Sequence, residues 1–195
     1  MVPSTNRPGL HPFKVAMLGS NPAGITNQNM YPGEEEMRMR VRVMGRKEAF
    51  TYSCLPHDNQ TVMISVSDPR MVYDYTPFMS DTNGIRAILS LCFADADEPG
   101  PDVYGFDTDE SEMMSFEDAE KIVQLLKENN GTDIIVHCDA GISRSSGIAA
   151  AILKYFTGSD EQIFRDTYYC PNTWCYRKTL GALQQSNLKK HSGLV

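Results

Sequence analysis

Nothing in the 195 residues approaches the roughly 18 consecutive apolar residues that a membrane helix needs, so no membrane partner is expected. The first twenty residues, MVPSTNRPGLHPFKVAMLGS, lack a charged start leading into an apolar core. A secretion signal is therefore not expected, and a cytoplasmic location is. Positive charge is in short supply: 18 Lys and Arg stand against 25 Asp and Glu, a net charge of −7. That disfavours nucleic acid and anionic membrane as partners, since both need a basic footprint. Cysteines number five, an odd count with no disulfide-like spacing, so they read as thiols in a reducing compartment. Cys170 and Cys175 in CPNTWC lack two further ligands at zinc spacing, which leaves them as packing residues, and no metal or other cofactor is expected. GSNPAG, residues 19 to 24, has neither the strand before nor the helix after it that a dinucleotide fingerprint requires. There are no internal repeats, and nothing in the chain sets an oligomeric state.

Residues 1 to 36 are rich in Pro, Gly and Asn without periodicity, and read as an irregular N-terminal extension. From 37 onward the pattern changes. MRMRVRVMG, 37 to 45, alternates apolar and basic residues with period two, as a half-buried strand does; RKEAFTYSC follows as a short helix. TVMISVSDP, 61 to 69, and AILSLCFAD, 87 to 95, are further strands, with Asp68 a turn residue. SFEDAEKIVQLLKENNG, 115 to 131, is a helix: Ser115 caps it with Asp118 three residues on, Phe116, Ala119, Ile122, Val123, Leu125 and Leu126 make its apolar stripe, and Gly131 ends it. TDIIVHC is a short buried strand, and SSGIAAAILKYFTG, 145 to 158, a helix rich in small residues. SDEQIFRDTYY and NTWCYRKTLGALQQSN read as two more helices, capped by Ser159 and Asn172; LKKHSGLV reads as a frayed tail. This alternation predicts an α/β fold, a central mostly parallel sheet of four to five strands flanked by helices on both faces.

One segment carries chemistry. In HCDAGISRSSG, 137 to 147, a buried strand ends, a loop of small and polar residues follows, and a helix begins at about Ser145. Such a loop aims several backbone N–H groups at one point in front of a helix N-terminus, which suits a tetrahedral oxyanion. Gly141 permits the turn. Arg144 supplies a planar fork for two oxygens of a phosphate. Converging amides and a neighbouring cation favour the thiolate form of Cys138, which is the nucleophilic form.

VHCDAGISRSSG resembles the signature of the cysteine-dependent protein phosphatases, tyrosine and dual-specificity, in which His precedes a Cys-x5-Arg-Ser/Thr motif. The resemblance covers roughly residues 37 to 188 and implies a catalytic domain of dual-specificity type over 37–195. It implies a metal-independent phosphomonoester hydrolase working through a phosphocysteine intermediate. Cys138 would attack phosphorus and Arg144 would hold its oxygens. Asp139, Ala140, Gly141, Ile142 and Ser143 would bind the phosphate mainly through their amides. Ser145 would help the thiolate leave, or serve only as a helix cap. His137 would order the loop from beneath, or be purely structural. A general acid must protonate the leaving oxygen. The family draws it from the loop after the strand that precedes the long helix. Asp95 is the first candidate, Asp97 the second, with Asp102 and Asp107 behind them, and 99 to 114 reads as an insertion after the acid.

Members of that family that cleave polyphosphorylated inositols usually carry lysines in this loop; here it carries Asp139 and no Lys, so the resemblance disfavours polyphosphorylated lipid headgroups. The expected substrate is a phosphorylated protein, phosphotyrosine first, or a small phosphomonoester. Tyr73, Tyr75, Phe78 or Tyr104 would wall a slot for a phosphotyrosine ring, unless they simply pack. Residues 95 to 120 hold eleven Asp and Glu with no Lys or Arg, while 37 to 50 hold Arg38, Arg40, Arg42, Arg46 and Lys47 against Glu48. These are solvated faces, or else a polar rim that sorts substrates. Cys54 or Cys92 is a candidate redox partner for Cys138. Two other activities stay open: a phosphate-binding pseudophosphatase of weak turnover, and a rhodanese-like sulfurtransferase.

Overall fold

The run TVMISVS builds the most deeply buried strand, all seven of its residues inside. In the computed structural model, which describes residues 39–56, 61–70, 85–101 and 105–186, the chain begins with strand β1 (Val41–Gly45) and helix α1 (Arg46–Ser53). The TVMISVS strand is β2 (Thr61–Ser67), followed by β3 (Ile85–Cys92). A small antiparallel hairpin, β4 (Gly100–Pro101) and β5 (Asp107–Thr108), precedes helix α2 (Phe116–Glu128). Then come β6 (Asp133–Cys138), α3 (Arg144–Thr157), one turn of helix α4 (Glu161–Phe164) and α5 (Thr173–Gln185). The expected extension over 1–36, the C-terminal tail, Asp102 and the slot aromatics Tyr73, Tyr75, Phe78 and Tyr104 lie outside the described residues. Among the described residues no helix is long and apolar enough to cross a membrane.

The main sheet is four-stranded and wholly parallel, in the order β1-β6-β2-β3. Period-two alternation divides its side chains between two apolar clusters. Val62, Ile64, Val66, Ile134 and Val136 join one with residues of α2, α3 and α5; Met63 and Ile135 join another with Ala49 of α1. Each fully buried branched side chain contributes about 1.5–3 kcal/mol relative to exposure. In open parallel sheets sites form beyond the carboxyl ends of the strands, and β6, a central strand, ends at Cys138.

Several boundaries shift. Strand β3 stops at Cys92, so Asp95 lies in the following loop rather than on the strand. Helix α3 starts at Arg144, one residue early, and Ser145 is not its cap. The helix expected from Ser159 to Tyr169 shrinks to the single turn of α4, and its N-cap is Asp160. Four residues give too few intrahelical hydrogen bonds for a longer helix to outcompete tertiary contacts. Phe116 is partly exposed rather than in the stripe. The caps at Ser115 and Asn172 form as expected, each side chain accepting from the backbone three residues on.

Candidate active site

Alternation along β6 decides where the thiol goes. Cys138 falls on the side of Val136, facing α3, and is 2% exposed, whereas His137 is fully buried on the opposite side. The Cys138 Sγ lies 3.1 Å from the Ser145 Oγ and accepts from the Gly141 N–H at 3.3 Å. Ser145, in the first turn of α3, thus faces the sulfur instead of capping the helix.

The loop from Asp139 to Ser143 is tied from both sides. Arg46 N–H donates to the Asp139 carbonyl, while Cys170 and Asn172 N–H groups donate to the Ile142 and Ser143 carbonyls, all at 3.1 Å. Gly141 sits at φ +75°, and a Cβ there would meet the Gly45 nitrogen at 2.5 Å and the Met44 carbonyl carbon at 2.6 Å. That Met44–Gly45 peptide is backbone and cannot swing aside as a side chain would, so Gly141→Ala is expected to cost at least about 1–3 kcal/mol and to distort the loop. A fall in the urea midpoint together with lost anion binding would show it; a wild-type midpoint would refute it. Gly147 has the same function between helices, since a Cβ there would meet the Asn172 carbonyl oxygen at 2.4 Å.

Arg144 is 4% exposed and already surrounded. Its Nη1 donates to the Phe93 carbonyl and its Nη2 to Asp139 Oδ2, both at 2.9 Å. Asp95 Oδ2 stands 3.5 Å from its Nε and Asp68 Oδ2 3.7 Å from its Nη1. Burial opposes the guanidinium's charge, but Asp95, Cys138, Asp139 and Asp68 outweigh it and hold the group's pKa above its ordinary value. The Nε makes no hydrogen bond among the described residues. Asp139 also accepts from Arg46, Nε at 2.8 Å and Nη2, so this loop carboxylate bridges two arginines.

Asp95 reaches the site from its loop. Its Oδ1 accepts from the Ser143 hydroxyl at 2.7 Å and from Asn172 Nδ2 at 3.0 Å, leaving Oδ2 toward Arg144. Asp97 is exposed, and its Oδ1 accepts from the Thr173 N–H and hydroxyl at the start of α5. Both acids line one cleft of about 430 Å³ with Cys138, Asp139, Ala140, Ile142, Ser143 and Arg144. Asp107 is exposed on the hairpin. Cys54 and Cys92 are exposed and do not line this cleft; of Cys170 and Cys175, both read as packing residues, Cys170 is exposed and lines it, and Cys175 is buried.

His137 is pushed down to about 4, chiefly by burial, with Arg46 adding to the shift. The ring is therefore neutral at physiological pH and brings no positive charge to the thiol. The unfolded chain takes a proton near 6.5 that the folded chain refuses until about 4. Stability from this group is thus complete above about pH 6.5 and falls as pH drops toward 4, by about 3 kcal/mol at most. Urea midpoints of wild type and His137→Gln are expected to converge over that window; parallel curves would contradict it.

Two residues escaped the sequence reading. Asp68 is a turn residue, its Oδ1 accepting from the Arg70 N–H, but the buried carboxylate also faces Arg144. Its position at the carboxyl end of a strand was the available cue. Asn172 caps α5, and its amide nitrogen also donates to Asp95 and to the Ala96 carbonyl. No local signal marks that second task.

No protein-family model matches the chain, and no curated protein does. Among solved structures it is similar to PTPMT1 in complex with PI(5)P, at 15% identity and TM-score 0.46, over 76% of this chain and 93% of that one. It is similar to Tk-PTP in the active form, at 20% identity and TM-score 0.37, over 85% and 89%. A third is the human tyrosine phosphatase-like serine/threonine/tyrosine-interacting protein, at 18% identity and TM-score 0.38, over 66% and 76%.

Proposed function

We propose that this chain is a metal-independent phosphomonoester hydrolase acting on phosphorylated protein side chains, phosphotyrosine first. The observation that carries the reading is the placement of Cys138 Sγ beside Ser145 Oγ and the Gly141 N–H, in one cleft with Arg144 and Asp95. In the first step the Cys138 thiolate forms a bond to phosphorus as the ester P–O bond breaks. The leaving oxygen takes a proton from Asp95. Arg144 and the loop amides hold the three equatorial oxygens, whose charge they stabilise most in the transition state. In the second step water attacks the phosphocysteine and gives its proton to Asp95. The S–P bond breaks, the thiolate leaves onto the Ser145 hydroxyl, and inorganic phosphate departs.

Asp95 is preferred to Asp97 because it touches the residues around the reacting centre, whereas Asp97 is occupied at the α5 N-terminus. Asp95 also braces Arg144, so a bare loss of activity would not identify an acid. The leaving group separates the two roles. Asp95→Asn is expected to lose about 10²–10⁴-fold with phenyl phosphate, and far less with an aryl phosphate whose phenol leaves readily, because only a poor leaving group needs the proton. Asp97→Asn is expected to retain activity with both. Loss for Asp97→Asn with a wild-type Asp95→Asn would reverse the assignment. Hydrolysis in the presence of a chelator tests the metal independence, and thiosulfate turnover without phosphate hydrolysis would refute the phosphatase reading.

A further inference from the structure

The charges around the cleft bear on the substrate. Its lining includes Asp95, Asp97, Glu98 and Asp139, and Arg144 is the one cation among the described residues that line it. That cation is spent inward: it is buried, and Asp68, Asp95 and Asp139 all stand within 3.7 Å of it. The exposed charged residues of the lining are Asp97 and Glu98. The acidic character continues onto the hairpin. Pro101, which lines the cleft, pairs with Asp107, and exposed Asp109 and Glu110 follow. Arg70 and Lys178 stand 3.8 and 4.0 Å from Glu112 and Glu110, outside the lining, and Arg46 pairs with Asp139 from behind the loop.

A bare phosphate dianion entering such a cleft meets more like charge than opposite charge. The penalty falls if the same ligand carries cations to the mouth, because complementary charge speeds encounter and suppresses like-charged competitors. Further phosphates on the ligand would have the opposite effect. The acids stand on two separate elements, the 95–98 turn and the β4–β5 hairpin, so several cations are accommodated at once. A peptide supplies several; a small amine ester supplies one. Resting on the phosphatase reading above, we propose that this cleft takes a phosphorylated peptide segment whose phosphorylated residue is flanked by lysine or arginine. The acids of the 95–98 turn and of the β4–β5 hairpin are then the rim that sorts substrates, with Glu98 a specificity-determining residue.

The test uses two phosphotyrosine peptides that differ only in Lys/Arg or Glu flanks, with phosphoethanolamine as a small cationic ester. Binding is read by fluorescence anisotropy on Cys138→Ser, and turnover on wild type. The basic peptide is expected to bind about 10-fold tighter or more at low salt, and to be turned over correspondingly faster. The gap should shrink several-fold at about 0.5 M salt, where exposed charges are screened. Glu98→Lys should narrow it, and a gap as wide as in wild type overturns the assignment of Glu98. Equal affinity for the two peptides, or preference for the acidic one, overturns the proposal. Faster turnover of phosphoethanolamine than of the basic peptide overturns the peptide assignment. Preferential binding of the basic peptide with no hydrolysis of any phosphate supports the charge preference and sinks the phosphatase reading alone.

Discussion

Cys138→Ser is expected to abolish hydrolysis of an aryl phosphate, by roughly 10⁴-fold or more in kcat, with the fold intact. The substitution is nearly isosteric. The sulfur makes one contact to a hydroxyl and one to a backbone N–H, and an oxygen can make both. Packing is therefore retained, and the unfolding midpoint should stay close to wild type. What is lost is the ability to ionise: a serine hydroxyl stays protonated at neutral pH and no base stands against it in place of Ser145. Arg144, the loop amides and Asp95 are untouched, so phosphate binding survives, and the variant should retain a phosphopeptide it cannot turn over. Retention of activity within about tenfold of wild type would end the nucleophile assignment.

Arg144 should yield the second large effect, and in two quantities at once. Arg144→Ala removes the cation between three carboxylates, of which Asp68 is 7% exposed. Breaking a buried ion pair from one side typically costs about 3–5 kcal/mol, so a fall in Tm is expected alongside a loss of about 10³-fold or more in kcat/KM. Arg144→Lys separates the two effects. Its ammonium keeps the charge, so more of the stability returns. It cannot serve the Phe93 carbonyl, Asp139 and a phosphate together, so activity should remain at least about 10²-fold down. Inorganic phosphate or vanadate is expected to raise the Tm of wild type and not of Arg144→Lys. A lysine variant with full activity would show that the planar fork is dispensable.

Asp139 introduces a competition within the same loop. It accepts from Arg144 and from Arg46, and a phosphate arriving at Arg144 must share the guanidinium with it. The sequence reading treated Asp139 as a phosphate-binding loop member through its amide. The side chain has a second task, to pin the loop to the start of α1 through Arg46. Two arginines and three carboxylates thus form one connected set around the thiol, and Ser143 and Asn172 join it through Asp95.

The sheet was legible because its strands announce themselves locally. TVMISVS and TDIIVHC are apolar runs whose burial on both faces leaves few alternatives, and both became central strands. Helix α2 was legible for a similar reason, its cap and stripe lying within seventeen residues. The turn at Glu161–Phe164 was not, because a plausible polar–apolar pattern is no substitute for the contacts that let a helix persist. Cys170, read as a packing residue, lines the cleft while the redox candidates Cys54 and Cys92 do not, for the same kind of reason: which thiol reaches the cleft depends on how the segment after α4 packs against the loop, through the Cys170 N–H to the Ile142 carbonyl.

By itself the sequence determined that Cys138, the loop and Arg144 share one site, since a strand, five residues and a helix place them by local backbone geometry within a single segment. The tertiary structure alone decided which carboxylates gather around that arginine. Asp95 meets Ser143 across 48 positions and Asn172 across 77, and Arg144 meets the Phe93 carbonyl across 51. Such meetings depend on the order of strands in the sheet and on how α3 and α5 pack. No short-range spacing encodes them, because residues far apart in the chain become neighbours only when the whole sheet has closed.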